Sequence, residues 1–115
     1  MRRWLLGALT LAACAGPQRF SAPAPDGALE CALREAQHLG YQQVEGKVED
    51  GMVLVGRRIA TDYSQIPWDG QLRLRQGDGR LRIEVISDRN LNGQPPGTAT
   101  TADDGRQILA LCSAP

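Results

Sequence analysis

Gln71-Leu72-Arg73-Leu74-Arg75-Gln76-Gly77-Asp78-Gly79-Arg80-Leu81-Arg82-Ile83-Glu84-Val85-Ile86-Ser87 decides the fold. Apolar and charged residues alternate on both sides of Asp78-Gly79, with the two-residue period of a half-buried strand. Asp-Gly suits a two-residue type I′ turn, which needs positive φ at both central positions. Pairing the arms about that turn sets Leu74 opposite Ile83 and Leu72 opposite Val85. These four share one face, and Arg73, Arg75, Arg82 and Glu84 take the other. A slip of one residue would put Leu74 against Arg82, so the pattern itself sets the register. One apolar and one charged face is the signature of an antiparallel sheet with one wet side.

Upstream, Asp50-Gly51 separates Tyr41–Glu49 from Met52–Ile59 and reads as a second hairpin of the same kind. That turn would set Glu49 opposite Met52 and Val48 opposite Val53, with Val44, Val48, Val53 and Val55 on one face. Before it, residues 28–39 read as a helix, N-capped by Asp26 and stopped by Gly40. Leu29, Ala32, Leu33, Ala36 and Leu39 form its apolar stripe, while Glu30, Arg34 and Gln37 face away. Residues 60–70, with Tyr63, Pro67 and Trp68, read as a loop, as do 88–100 with Pro95-Pro96. Thr101 followed by Asp104 has capping-box form. Ile108, Leu109 and Cys112 then share a helical face, so the spacing predicts a short terminal helix. A fifth strand is the alternative, because Ile108, Ala110 and Cys112 also alternate. The expectation is an α+β domain over residues 28–115. It has a four-stranded antiparallel sheet from two Asp-Gly hairpins, with an N-terminal and a short C-terminal helix on one face.

The chain opens Met1-Arg2-Arg3, continues with the apolar run Trp4 to Leu11, and reaches Ala12-Ala13-Cys14. A positive start, a short apolar stretch and small residues make a secretory signal. The run is shorter than the ~20 residues a membrane-spanning helix needs. Leu11-Ala12-Ala13-Cys14 resembles the lipobox of bacterial lipoproteins. The resemblance implies cleavage after residue 13 and acylation of Cys14, palmitate being a typical chain. It also implies a membrane partner engaged through that lipid. An ordinary signal peptide with an incidental cysteine is the plainer alternative. Ala15 is not the aspartate associated with inner-membrane retention, which points to the outer membrane, facing the periplasm. Arg2-Arg3 has part of a twin-arginine export signal but lacks its flanking residues, so plain Sec export is favoured. Residues 14–27, rich in proline and small residues, read as the lipidated cysteine and a flexible tether. The alternative there is an extra edge strand at Arg19-Phe20-Ser21.

Three cysteines cannot all pair, and the lipobox accounts for the odd one. With Cys14 acylated, Cys31 and Cys112 remain, and in an oxidising envelope they are expected to form a disulfide rather than two free thiols. Cys31 lies beside the Leu29/Leu33 stripe, so a second helix packed alongside is the expected neighbour. The 13 basic and 13 acidic residues balance in the whole chain. Loss of Arg2 and Arg3 with the signal leaves 11 basic against 13 acidic. That balance gives no basic surplus for nucleic acid.

No phosphate loop, nucleophile elbow or dinucleotide fingerprint occurs. The lone His38 has no identifiable catalytic companions, and its place near a helix end suits the helix dipole. No zinc site is expected, and no cofactor beyond the covalent lipid. Arg57 (or Arg58), Arg73, Arg75 and Arg82 on the wet sheet face are the candidate anion-binding residues, although such arginines also serve solubility. Asp88, Asn90 and Asn92 begin a calcium-loop pattern that ends with Gly93, but Ala99 stands where a bidentate glutamate is needed. Trp68 is a candidate surface anchor or the lid of a small core. The expected function is that of a membrane-anchored, non-enzymatic envelope lipoprotein that binds an envelope protein or polymer, or assists an assembly. The alternative is a small-anion or weak calcium binder.

Overall fold

The computed structural model describes residues 18–57, 70–88 and 100–114, with Asp88 described by its backbone alone. Cys14, Arg58, Tyr63, Trp68, Asn90 and Asn92 lie outside the described residues. The described part is α+β. Strands β1 (Arg19–Pro23), β2 (Gln42–Lys47), β3 (Met52–Arg57), β4 (Gly70–Gly77) and β5 (Arg80–Asp88) form one sheet in the order β1-β5-β4-β3-β2. Every neighbouring pair is antiparallel. Helices α1 (Ala28–His38) and α2 (Thr101–Cys112) pack on the sheet and against each other.

The sheet therefore has five strands where the sequence suggests four. The added strand, β1, falls inside the stretch read as tether. Its alternation explains this: Phe20 lies opposite Ile83 and packs on the core, while Arg19 lies opposite Glu84 and Ser21 opposite Arg82. Proline is tolerated because β1 is an edge strand and Pro23 ends it. The chain then turns directly into α1.

The central hairpin forms in the expected register, with Leu74 opposite Ile83 and Leu72 opposite Val85. Asp78 has φ 55° and Gly79 φ 72°, so both turn residues are left-handed as a type I′ turn requires. The other Asp-Gly pair behaves differently. Lys47, not Glu49, lies opposite Met52, and Gly46, not Val48, lies opposite Val53. Val48–Asp50 form a 3₁₀ turn, and only Gly51 takes a positive φ, 82°. The 3₁₀ turn takes Val48–Asp50 out of the strand, and Gly46, with φ 90°, lets β2 lie close on the Met52 carbonyl, where a Cβ would collide with that oxygen. A bulge between Gln43 and Glu45 turns Val44 outward, 38% exposed, and Val48 tucks against the core instead.

Two helix starts also differ from expectation. Gly27, in left-handed conformation, is the N-cap of α1 rather than Asp26, with no side-chain cap of its own. Gln76 Oε1, reaching across from β4, accepts from the Leu29 N–H at 2.8 Å. Its Nε2 donates to the Pro25 carbonyl at 2.7 Å. One amide thus satisfies an orphan helix donor and pins the entry turn to the sheet. The capping box of α2 is built from Thr100 and Asp103, one residue before the expected pair. Thr100 Oγ1 accepts from Asp103 N at 3.0 Å, and the Thr100 N–H donates to Asp103 Oδ2 at 3.1 Å. That frees Asp104 to turn inward, where it is buried.

The core is aliphatic: Val53, Val55, Leu72, Leu74, Leu81 and Ile83 are fully buried beneath Leu29, Ala32, Ala36 and Ile108. Gly105 lets α2 sit close on the sheet, because a Cβ there would reach Ile83 at 3.3 Å and Phe20 at 3.4 Å. The Cys31 and Cys112 sulfurs stand 2.09 Å apart, at disulfide distance, joining α1 to α2 across 81 positions of sequence. The terminal segment is a helix, so it supplies no strand.

Candidate functional site

The sheet has one face under the helices and one without them. Strand alternation assigns each arginine to a face before any side chain is considered. On β3, Val53 and Val55 point into the core, and Arg57 follows them by the same period. Arg57 is therefore absent from the wet face where the sequence reading put it. Its side chain is 16% exposed, its Nη1 lies 2.8 Å from Asp104 Oδ2, and its guanidinium stacks on the Tyr41 ring at 4.8 Å. Tyr41 Oη donates to the same Asp104 oxygen at 2.8 Å. Burial pushes the Tyr41 hydroxyl well above its ordinary range, so it remains a donor. This trio ties β3 and the start of β2 to the first turn of α2, and its role is structural.

The other three expected arginines do come together. Arg73 and Arg75 of β4 and Arg82 of β5 point to the open face with Glu84. β1 adds Arg19 and Ser21, and the strands together line a groove of ≈ 530 Å³. Arg19 reaches this face through β1, the edge strand that the sequence offers only as the alternative to a tether; the alternation around Phe20 is its signal. Arg73 Nη1 lies 2.7 Å from Glu84 Oε1, and Arg19 Nε lies 3.3 Å from Oε2. Desolvation opposes ionisation of Glu84, but these two arginines outweigh it and hold its carboxyl below the usual value. Glu84 and Arg73 are half-buried on a wet face, and ion pairs this open to solvent contribute little to stability, about 0–1 kcal/mol each.

Arg75 and Arg82 are the remainder. They lie directly opposite each other on adjacent strands, and both are exposed. Arg82 Nη1 donates to the Gly77 carbonyl at 3.2 Å, while Arg75 makes no ion pair among the described residues. Arg80 joins the same face, its Nε donating to Ser21 Oγ at 2.9 Å. Like charges directly opposed on a sheet are unfavourable. Arg75 and Arg82 can converge on one anion, and guanidinium groups match carboxylate and phosphate geometry.

His38 is exposed, its Nδ1 3.7 Å from Glu35 Oε1. Among the described residues, no three His, Cys, Asp or Glu side chains stand together so as to hold a metal ion. No helix among them is long and apolar enough to cross a membrane. Compared with known proteins, the chain matches no family model, no curated protein and no solved structure.

Proposed function

We propose that the chain is an exported lipoprotein held in the cell envelope, on the outer membrane facing the periplasm, by an acylated Cys14. Its folded part acts as a non-enzymatic binding module, serving an envelope partner or an assembly. The partner is anionic, and the arginine-lined sheet face receives it. Support for the anchor is the Leu11-Ala12-Ala13-Cys14 resemblance. The binding reading rests on one observation: Arg75 and Arg82 face each other, exposed, with Glu84 already engaged by Arg73 and Arg19. A purely structural sheet gains nothing from that opposition, whereas a binding surface does.

A small anion on the same arginines is the second reading, favoured by the groove between the strands. Titration calorimetry with poly-glutamate tests the surface, with binding expected for the natural sequence and lost in Arg75→Ala/Arg82→Ala. Heat unchanged in that variant would remove the arginine face from the account. Intact mass of the protein from envelopes tests the anchor: an acylated N-terminal Cys14 is expected, and a free N-terminus elsewhere would end the lipoprotein reading.

A further inference from the structure

β1 starts at Arg19, only five residues after Cys14. Resting on the reading of Cys14 as acylated and of the arginine face as the binding surface, we infer that this face docks on the anionic phosphate headgroups of the bilayer that holds the anchor.

Five residues of fully extended chain span at most ~18 Å. A small domain is about 30 Å across. The link therefore cannot hold the anchored edge of the sheet far enough off the membrane for a globular partner to pass beneath it. β1 is an edge strand, and β5 and β4 are its next neighbours. Adjacent strands lie about 4.8 Å apart, so Arg82 is one strand from the anchored edge and Arg75 two. Both are within reach of the headgroups without any change in the fold.

Charge then sets the orientation. The open face carries Arg73, Arg75, Arg80 and Arg82 with Arg19 against Glu84, and at its far edge Glu45 and Lys47 of β2 offset each other. On the opposite side, α1 and its entry turn carry Asp26, Glu30 and Glu35 against Arg34. The Asp103–Arg106 pair on α2 cancels. A negatively charged surface attracts the first side and repels the second. The surface potential falls off over a Debye length, about 8–10 Å at physiological salt, roughly half the fully extended span of the link, so any less extended link brings the anchored edge of the sheet into it. Near the surface, each uncompensated arginine raises partitioning roughly five-fold. Arg75 and Arg82 together account for roughly 25-fold, and paired Arg73 and Arg19 for less.

The test uses the mature-length chain from residue 14 carrying Cys14→Ser, so that no acyl chain contributes. Its sedimentation with phosphatidylcholine vesicles is compared with and without phosphatidylglycerol. The expected result is binding that requires phosphatidylglycerol, weakens with added salt, and falls roughly 25-fold in Arg75→Ala/Arg82→Ala. Because both side chains are exposed, that variant keeps its melting temperature, which separates lost docking from lost folding. Equal binding to both vesicle types, or an unchanged double variant, overturns the inference. So does competition by inorganic phosphate at low concentration, which would reveal a free-phosphate site. Binding of poly-glutamate without phosphatidylglycerol vesicles defeats membrane docking and leaves the anionic-partner reading standing. Binding of neither defeats both.

Discussion

Arg57 and Arg75 sit on adjacent strands of one sheet, on opposite faces, and they have opposite fates. Arg57 is buried with a carboxylate and a phenol arranged around it. Arg75 is exposed, faces another arginine, and makes no ion pair among the described residues. The contrast shows how the molecule divides its work. The covered face pairs its buried charge, and the open face leaves Arg75 without an ion pair among the described residues.

The largest expected effect lies on the covered side. Replacing Cys31 and Cys112 with serine removes the cross-link between α1 and α2, whose 81-position loop corresponds to roughly 4.5 kcal/mol in the chain-entropy account. Urea unfolding measures it, and a loss below about 1 kcal/mol would mean that the reduced chain is held together some other way. Next comes Arg57→Ala, which strands the buried Asp104 carboxylate and is expected to cost about 3–4 kcal/mol. The double change Arg57→Met/Asp104→Leu should recover most of that loss, because the penalty belongs to the unpaired charge. Tyr41→Phe removes one donor to Asp104 and should cost about 1–2 kcal/mol. In thermal melts these variants rank in that order.

Changes on the open face should scarcely move stability. Glu84→Gln is expected to cost less than about 1 kcal/mol, because its ion pairs are solvent-screened. It should nevertheless strengthen anion binding by releasing Arg73 and Arg19. Acid does the same to the natural protein. The Glu84 carboxyl lies below its ordinary value in the fold, so its contribution is present above the unfolded value and disappears as pH falls through the folded one. Binding of poly-glutamate analogues that stay ionised, such as a sulfonated polymer, should rise in that acidic window. A flat profile would separate Glu84 from the face. Arg75→Ala/Arg82→Ala has the smallest effect of all on folding, neutral or slightly stabilising, since a like-charge pair is removed.

How far the sequence carries this picture depends on whether the deciding interaction is local. Asp78-Gly79 sits between two cleanly alternating arms, so turn and register can be read directly. Asp50-Gly51 carries the same dipeptide, but Gly46 and the bulge after Gln43 redirect the pairing, and a dipeptide rule does not see them. The cap on α1 comes from Gln76, forty-seven positions away, which no local pattern announces. The opposition of Arg75 and Arg82 follows from the turn alone, whereas Arg19 joins them only because β1 finds an edge to pair with. Arg57 belongs to the covered face, and the two-residue period from Val53 and Val55 is the sequence signal that points it inward.

The division between the two faces is tested most directly by measuring melting temperature and poly-glutamate affinity on one preparation of Arg75→Ala/Arg82→Ala beside the natural sequence. The account predicts a melting temperature equal or slightly higher, with affinity lost. A variant that melts markedly lower, or one that binds as before, would contradict it.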